Sequence, residues 1–381
     1  MPPDPSFDIA IPRDLLPADG RFGSGPSKVR VSALAALAAT GTSYLGTSHR
    51  QAPVKSMVAR LRAAVRELFG LPDDYEVVLG NGGASLFWDI AAACLVERRS
   101  QHLVFGEFSS KFAGVTAGAP FLDEPDVISA PVGSHPSAAA REGIDLYAFT
   151  HNETSTGVAM PLARVEGADA GALVAVDATS GAGAIRFDPS AVDAYYFSLQ
   201  KGFASDGGLW VAVLSPAAVE RAERVAALAG RWVPSSLDLR ISVESSRKDE
   251  TWNTPGLAAL FLAVDQAEWV LGQGGLEWAA SRCERSADVL YGWAEASAYA
   301  TPFVAKPNER SPVVGTIDLD PSVDAAAVCR VLRANGVVDT DPYRKLGRNQ
   351  LRVAMFPAVD PADVEALTRC VDWVVEALSS A

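Results

Sequence analysis

The sequence predicts an α/β fold, a mainly parallel sheet covered by helices on both faces, followed by a smaller α+β domain. Three observations lead there. Short apolar runs of strand length recur along the chain, each closed by Gly, Asp, Asn or Ser. Most of the segments between them carry a helix-like pattern, and this alternation is the one that builds parallel sheets. Hydrophobic residues make up 49% of the 381 residues, ample material for a large buried core and more than one lobe.

Taken in order, residues 58–69 form an amphipathic run in which Val58, Leu61, Val65, Leu68 and Phe69 share one face, so this helix should pack on the sheet. Strands are expected at 76–79, 103–105, 146–149, 173–176, 194–198 and 209–214, with a helix at 86–96 after the first. After Asn253-Thr254-Pro255-Gly256 a long apolar helical pattern covers 257–271 and more helix continues towards residue 298, the passage into a second lobe. Strands near 313–319 and 350–355 and helices at 325–334 and 361–378 suit the smaller domain. The expected division is an N-terminal segment, 1–20, a large domain, 21–265, and a small C-terminal domain, 266–381. No internal repeat or low-complexity tail is visible.

Lys and Arg total 33 against 46 Asp and Glu, a net charge of -13 without basic clusters, which argues against a general nucleic-acid binder. An anionic ligand must therefore be held in a local basic pocket. Cys94, Cys283, Cys329 and Cys370 are scattered without C-x-x-C spacing and read as buried thiols of a reducing compartment. Residues 1–11 carry Pro2, Pro3, Pro5 and two aspartates rather than a basic region and an apolar run, so no export signal is expected. Charges interrupt every apolar stretch before it could span a bilayer. A cytoplasmic protein without membrane or nucleic-acid partners is expected.

The informative feature is a series of strand ends that each finish on a polar residue. Leu173-Val174-Ala175-Val176 runs into Asp177-Ala178-Thr179-Ser180, and Tyr195-Tyr196-Phe197-Ser198-Leu199 runs into Gln200-Lys201-Gly202. A lysine that bonds a carbonyl cofactor must be partly desolvated, and a nearby carboxylate is needed to keep a pyridine nitrogen protonated. Asp177 and Lys201 fit those roles, although singly an Asp closing a strand is usually a turn residue and a Lys before Gly is usually solvated. Upstream, Val77-Val78-Leu79 enters Gly80-Asn81-Gly82-Gly83-Ala84-Ser85 and a helical pattern, a glycine loop whose free N–H groups and helix dipole suit a phosphate. Phe108, after Gly106-Glu107, could stack on a flat ring or belong to the core. Thr154, in the loop after another strand, could donate to a ring hydroxyl.

Together these segments resemble the phosphoserine aminotransferase family, within the class V branch of fold-type I pyridoxal-phosphate enzymes. The resemblance rests on Phe22-Gly23-Ser24-Gly25-Pro26, Thr47-Ser48-His49-Arg50, Gly82-Gly83-Ala84-Ser85, Asn152-Glu153-Thr154, Asp177-Ala178-Thr179-Ser180, Ser198-Leu199-Gln200-Lys201-Gly202, Trp252-Asn253-Thr254-Pro255 and Leu351-Arg352-Val353-Ala354. It implies a seven-stranded central sheet and pyridoxal 5'-phosphate carried on Lys201. Asp177 would bind the pyridine nitrogen, Thr154 the ring hydroxyl, Phe108 would stack on the ring, and Ala84, Ser85 and Gln200 would hold the cofactor phosphate. Asn253 and Thr254 would reach that phosphate from the neighbouring subunit of a homodimer with shared sites. Arg352 would clamp the substrate α-carboxylate, and His49 and Arg50 would bind its distal phosphate. Many members carry a His-Arg pair before the clamp arginine, whereas this chain reads Tyr343-Arg344-Lys345-Leu346-Gly347-Arg348, so Lys345 or a neighbouring Arg is expected to contact the phosphate.

The implied reaction moves the amino group of L-glutamate to 3-phosphohydroxypyruvate, giving O-phospho-L-serine and 2-oxoglutarate, with 4-phosphohydroxy-L-threonine as a neighbouring substrate. Other readings carry less of the sequence. These are another class V enzyme such as a small-amino-acid:glyoxylate aminotransferase, a cysteine desulfurase and a relative without activity. A nicotinamide-dependent oxidoreductase would use Gly80-Asn81-Gly82 as its dinucleotide turn and Glu107 as ribose ligand, but Ser85 stands where the third glycine belongs.

Overall fold

The computed structural model describes residues 9–380. Most of the proline-rich opening, on which the expectation of no export signal rests, lies outside the described residues. In chain order come helices α1 (Val31–Ala39) and α2 (Ala52–Phe69), strand β1 (Glu76–Asn81), α3 (Ala84–Cys94), β2 (Ser100–Val104), α4 (Glu107–Ala117), β3 (Asp126–Ser129) and β4 (Leu146–Thr150). A short ribbon, β5 (Asn152–Glu153) and β6 (Val158–Ala159), leads to β7 (Leu173–Asp177), β8 (Ala194–Ser198) and β9 (Leu209–Leu214). Then follow α5 (Pro216–Ala226), α6 (Leu239–Arg247), α7 (Leu257–Gln273), α8 (Gly275–Ala296), β10 (Ala300–Pro302), β11 (Val314–Leu319), α9 (Ala325–Ala334), β12 (Gln350–Ala354) and α10 (Pro361–Ser379).

The central sheet has seven strands in the order β1-β9-β8-β7-β4-β2-β3. All adjacent pairs are parallel except those of β9, which runs antiparallel to both β1 and β8. The connection from β8 to β9, residues 199–208, is too short for a crossover helix, so the chain must turn straight back. Lys201 sits in that turn. Because β1 is antiparallel to β9, it points the same way as β8, and the carboxyl ends of β1, β2, β4, β7 and β8 converge on one edge, the edge at which such sheets bind ligands.

Alternation along the buried strands sends Val77, Leu79, Tyr147, Phe149, Val174, Val176, Tyr195 and Phe197 into a core with α2 and α7. Val78, Ala148, Ala175, Tyr196 and Ala212 face a second core under α3 to α6. In α2 the expected stripe is the buried one, and the helix stops at Gly70, whose φ of 58° closes its last turn. The antiparallel sheet β10-β11-β12 packs under α8 to α10 around a third core. Sequence reading passes over β3 because Val127, one of its apolar residues, is 46% exposed at the sheet's edge. Among the described residues no helix is long and apolar enough to cross a membrane.

Gly80, in β1, lies against the buried Trp210 ring of β9, and a Cβ there would penetrate the indole. Gly80→Ala is expected to lower stability by about 1–3 kcal/mol through overpacking, read as an earlier denaturant midpoint. A midpoint equal to that of the unchanged protein would show that the strands can part without cost.

Candidate active site

At the carboxyl edge of the sheet lies a cavity of about 400 Å³. Ala84, Ser85, Phe108, Thr154, Asp177, Gln200 and Lys201, seven of the residues expected from the sequence, line it. They arrive from several different strand ends. β1 leads through Gly82 and Gly83 into α3, whose N-terminus carries no side-chain cap and whose first residues, Ala84 and Ser85, line the cavity with Gly83. Asp177 is the last residue of β7 and Thr154 follows the β5 residues. Phe108 is the second residue of α4.

The placement of Phe108 depends on a carboxylate to which the sequence reading gave no role. Glu153, fully buried, accepts the N–H groups of Phe108 (3.1 Å) and Ser109 (2.9 Å) and the hydroxyls of Ser109 (3.0 Å) and Ser155 (2.7 Å). It satisfies the N–H groups of the second and third residues of α4 from outside the helix, while Ser155 Oγ accepts that of the first, Glu107, at 3.0 Å. Burial pushes its carboxyl above the usual carboxylate range, opposed by these hydrogen bonds.

Asp177 is buried as well. Its Oδ1 accepts the Thr179 N–H (2.9 Å) and hydroxyl (2.6 Å), and its Oδ2 accepts the indole N–H of Trp88 (2.8 Å). Burial raises its proton affinity, while these bonds and the charge of Lys201 act in the opposite direction. Lys201 donates its Nζ–H to the carbonyl of Ser24. Its amine is pulled down to about 7, first by desolvation and then by the charge of Arg352, against the attraction of Asp177 and Glu153. An amine so placed has a substantial neutral, and hence nucleophilic, fraction near pH 7. The Phe22-to-Pro26 motif serves this lysine directly, since Gly25, at φ 152°, leaves room where a Cβ would strike Nζ.

Arg352, on β12, reaches Thr154 with one Nη (3.4 Å to its carbonyl) and lies over the Tyr343 ring at 5.3 Å. Its Nε is buried without a hydrogen-bond partner, as are Gln200 Oε1, Asn152 Oδ1 and Ser24 Oγ. Unpaired buried polar atoms are costly. Gln200 and Asn152 line the cavity, and Ser24 and Arg352 touch its lining residues Lys201 and Thr154; with a bare helix N-terminus, a nucleophilic amine and a carboxylate, this set fits pyridoxal phosphate and a carboxylate substrate.

Besides Arg352, which touches the lining residue Thr154, five expected residues stand outside the cavity lining. Lys345 is exposed and paired with Glu107, which also holds Lys111 at 3.2 Å, so Glu107 is engaged by two lysines. His49, Arg50, Asn253 and Thr254 form a separate surface group. His49 Nδ1 is 3.0 Å from the Thr254 hydroxyl, and Asn81 Nδ2 donates to the Thr254 carbonyl at 2.9 Å. Residues without an assigned role in the sequence reading but present in the lining include Trp88, Asn152 and Thr179. Trp88 had a readable signal, since it lies one helical turn beyond Ala84 and shares its face. Cys329 and Cys370 are buried in α9 and α10, their thiols pushed up to about 11, which leaves a desulfurase reading without a nucleophile.

Residues 134–340 match the family model described as aminotransferase class-V. A phosphoserine aminotransferase from Nocardioides sp. is 59% identical over 371 residues, covering 97% of this chain and 99% of its own. Among solved structures, phosphoserine aminotransferase from Bacillus circulans subsp. alkalophilus superposes with a TM-score of 0.81 at 20% identity, over 94% of this chain and 99% of that one. Pyridoxamine-pyruvate aminotransferase from Mesorhizobium loti gives the same TM-score, 0.81, at 17% identity over 97% and 95%. The fold is thus shared across different substrates, and specificity must be argued from side chains. With this sequence match over nearly its whole length, the chain belongs to the phosphoserine aminotransferase family of class-V aminotransferases.

Proposed function

We propose that this protein transfers the amino group of L-glutamate to 3-phosphohydroxypyruvate, giving O-phospho-L-serine and 2-oxoglutarate, in the biosynthesis of L-serine. The observation that carries the reading is the desolvated Lys201 amine in one cavity with Asp177 and the open N-terminus of α3, with Arg352 alongside. Pyridoxal phosphate, when bound, supplies a carbonyl that condenses with amines and a ring that accepts the electron pair left at the substrate α-carbon. Ala84, Ser85 and Gln200 hold its phosphate, Thr154 its ring hydroxyl, Phe108 its ring face and Asp177 the proton on its ring nitrogen. Lys201 carries the cofactor between turnovers and, once released, moves a proton to and from the substrate α-carbon. Arg352 receives the α-carboxylate in a bidentate grip. Two substrates that exchange through one site give ping-pong kinetics.

His49, Arg50 and Lys345 or a neighbouring Arg bind the distal anion, and Asn253 and Thr254 bind the cofactor phosphate from the neighbouring subunit of a homodimer. What supports this is their position. They lie outside their own chain's cavity, and His49, Arg50, Asn253 and Thr254 sit near segments that expose Val31 (70%), Leu34 (45%), Leu45 (45%) and Trp252 (48%) to solvent. Apolar exposure of that kind suits a protein contact. Activity on 4-phosphohydroxy-L-threonine, as in pyridoxine biosynthesis, belongs to the same proposal, as does a cytoplasmic location, which four buried unpaired cysteines favour. The proposed division into 1–20, 21–265 and 266–381 is supported by the separate cores of the two sheets, although α8 contributes to both and Phe22 packs in the smaller one.

Initial rates with glutamate and 3-phosphohydroxypyruvate varied together test the reaction. Parallel double-reciprocal lines are expected. No turnover with this pair, but turnover with alanine and glyoxylate, would replace the substrate assignment.

A further inference from the structure

A carboxylate has about four acceptor positions. At Asp177 three of them are filled from inside the protein, two on Oδ1 by Thr179 and one on Oδ2 by Trp88. One position on Oδ2 is left, and both Asp177 and Trp88 line the cavity. The Trp88 indole is 5% exposed and stacked on Phe112, with centroids 6.3 Å apart and planes at 16°, so its N–H has a fixed direction. An indole can only donate, which suits it to an ionised carboxylate. Ala84 and Trp88 share one face of α3, and the same rigid element therefore meets the cavity at its N-terminus and grips Asp177 one turn later.

We propose that Trp88 is a positioning residue for Asp177. Its N–H pins Oδ2 so that the one free acceptor position receives a protonated aromatic ring nitrogen. The register between phosphate site and ring-nitrogen site is thereby set by a single helix. This rests on the reading of Asp177 as the ring-nitrogen partner. Without the pin the carboxylate can turn about its side-chain bonds, and the ring nitrogen keeps less positive charge. The other groups around Asp177 are Lys201, the Tyr195 and Tyr196 phenols of β8, and His151, whose Nδ1 is 3.2 Å from the Tyr195 hydroxyl. Both phenols stay protonated, pushed well above their ordinary range by burial, and burial pulls the His151 imidazole down to about 4. None of these three titrates near neutrality, so Lys201 and the bound cofactor dominate the pH response there.

The test compares the cofactor-loaded protein with Trp88→Phe, Trp88→His and Asp177→Asn by two readouts, the pH midpoint of the bound cofactor's visible band and the cofactor dissociation constant. Phe keeps a ring against Phe112 and loses the donor, while His can place a ring nitrogen where the indole nitrogen stands. In Trp88→Phe the midpoint is expected to rise by about half a unit or more, because a less charged ring no longer opposes a second proton on the nitrogen joined to Lys201. Cofactor binding should weaken by roughly tenfold, the scale of a hydrogen bond to a charged group. Asp177→Asn should shift the midpoint further in the same direction, and Trp88→His should return it towards the original value. If Trp88→Phe matches the unchanged protein on both readouts while Asp177→Asn shifts them, Trp88 only fills space and the proposal fails. If Asp177→Asn shifts neither, the ring-nitrogen reading itself fails. Should the Phe variant not fold, Trp88→His is read alone against Asp177→Asn, and a displacement as large as that of Asn overturns the proposal.

Discussion

Lys201→Ala is expected to lower turnover of glutamate with 3-phosphohydroxypyruvate by about 10⁴-fold or more, while the protein still folds and retains cofactor through its other contacts. Two functions disappear with one side chain. The amine proposed to hold the cofactor is lost, and so is the group proposed to shuttle the α-proton, a general acid–base contribution of about 10²–10⁴-fold by itself. Folding should survive because the Nζ contact is to a single carbonyl, that of Ser24, and Ala leaves space beside Gly25 instead of filling it. Steady-state rates and circular dichroism check both halves. A folded variant with near-normal turnover would remove Lys201 from the chemistry.

Arg352→Gln is expected to reduce kcat/KM for glutamate and for O-phospho-L-serine alike, by about 10²–10³-fold, the cost of leaving a desolvated carboxylate without its charged partner. Both substrates present the same α-carboxylate, so equal losses identify the clamp, whereas a loss confined to phosphoserine would move Arg352 to the distal anion. The variant has a second expected effect. Arg352 is the charge that lowers the proton affinity of Lys201, whose amine sits at about 7. Capture of cofactor by the stripped protein needs the neutral amine, so its rate should rise with pH through about 7. Removing the positive neighbour favours the protonated amine, and the rise should move to higher pH in Arg352→Gln. Stopped-flow cofactor uptake across pH reads this directly, and an unmoved profile would mean that Arg352 and Lys201 do not share a field.

Much of this arrangement was legible in the sequence because each strand that carries chemistry is a buried apolar run with a polar terminator. Strict apolar–polar alternation is not needed to find such runs: Leu173 to Val176 ending in Asp177, and Tyr195 to Leu199 ending before Lys201, announce themselves by composition and abrupt change. Six of the seven strands of the central sheet were found in this way, β3 was not, and seven of the expected residues line one cavity. What stayed hidden depends on contacts distant in sequence. Trp88 meets Asp177 across 89 positions, and Glu153 caps α4, a helix that starts far upstream of it at Glu107, relations that no local pattern encodes. The antiparallel course of β9 could have been inferred from the short turn before it.

The most direct test of the central claim is the visible spectrum of the purified protein, followed by separate additions of O-phospho-L-serine, L-glutamate and L-alanine. The account predicts a band from cofactor bound at Lys201 that collapses with the first two and not with alanine. A band that answers only to alanine would contradict the substrate assignment, and a protein that never acquires a band would contradict the chemistry assigned to Lys201 and Asp177.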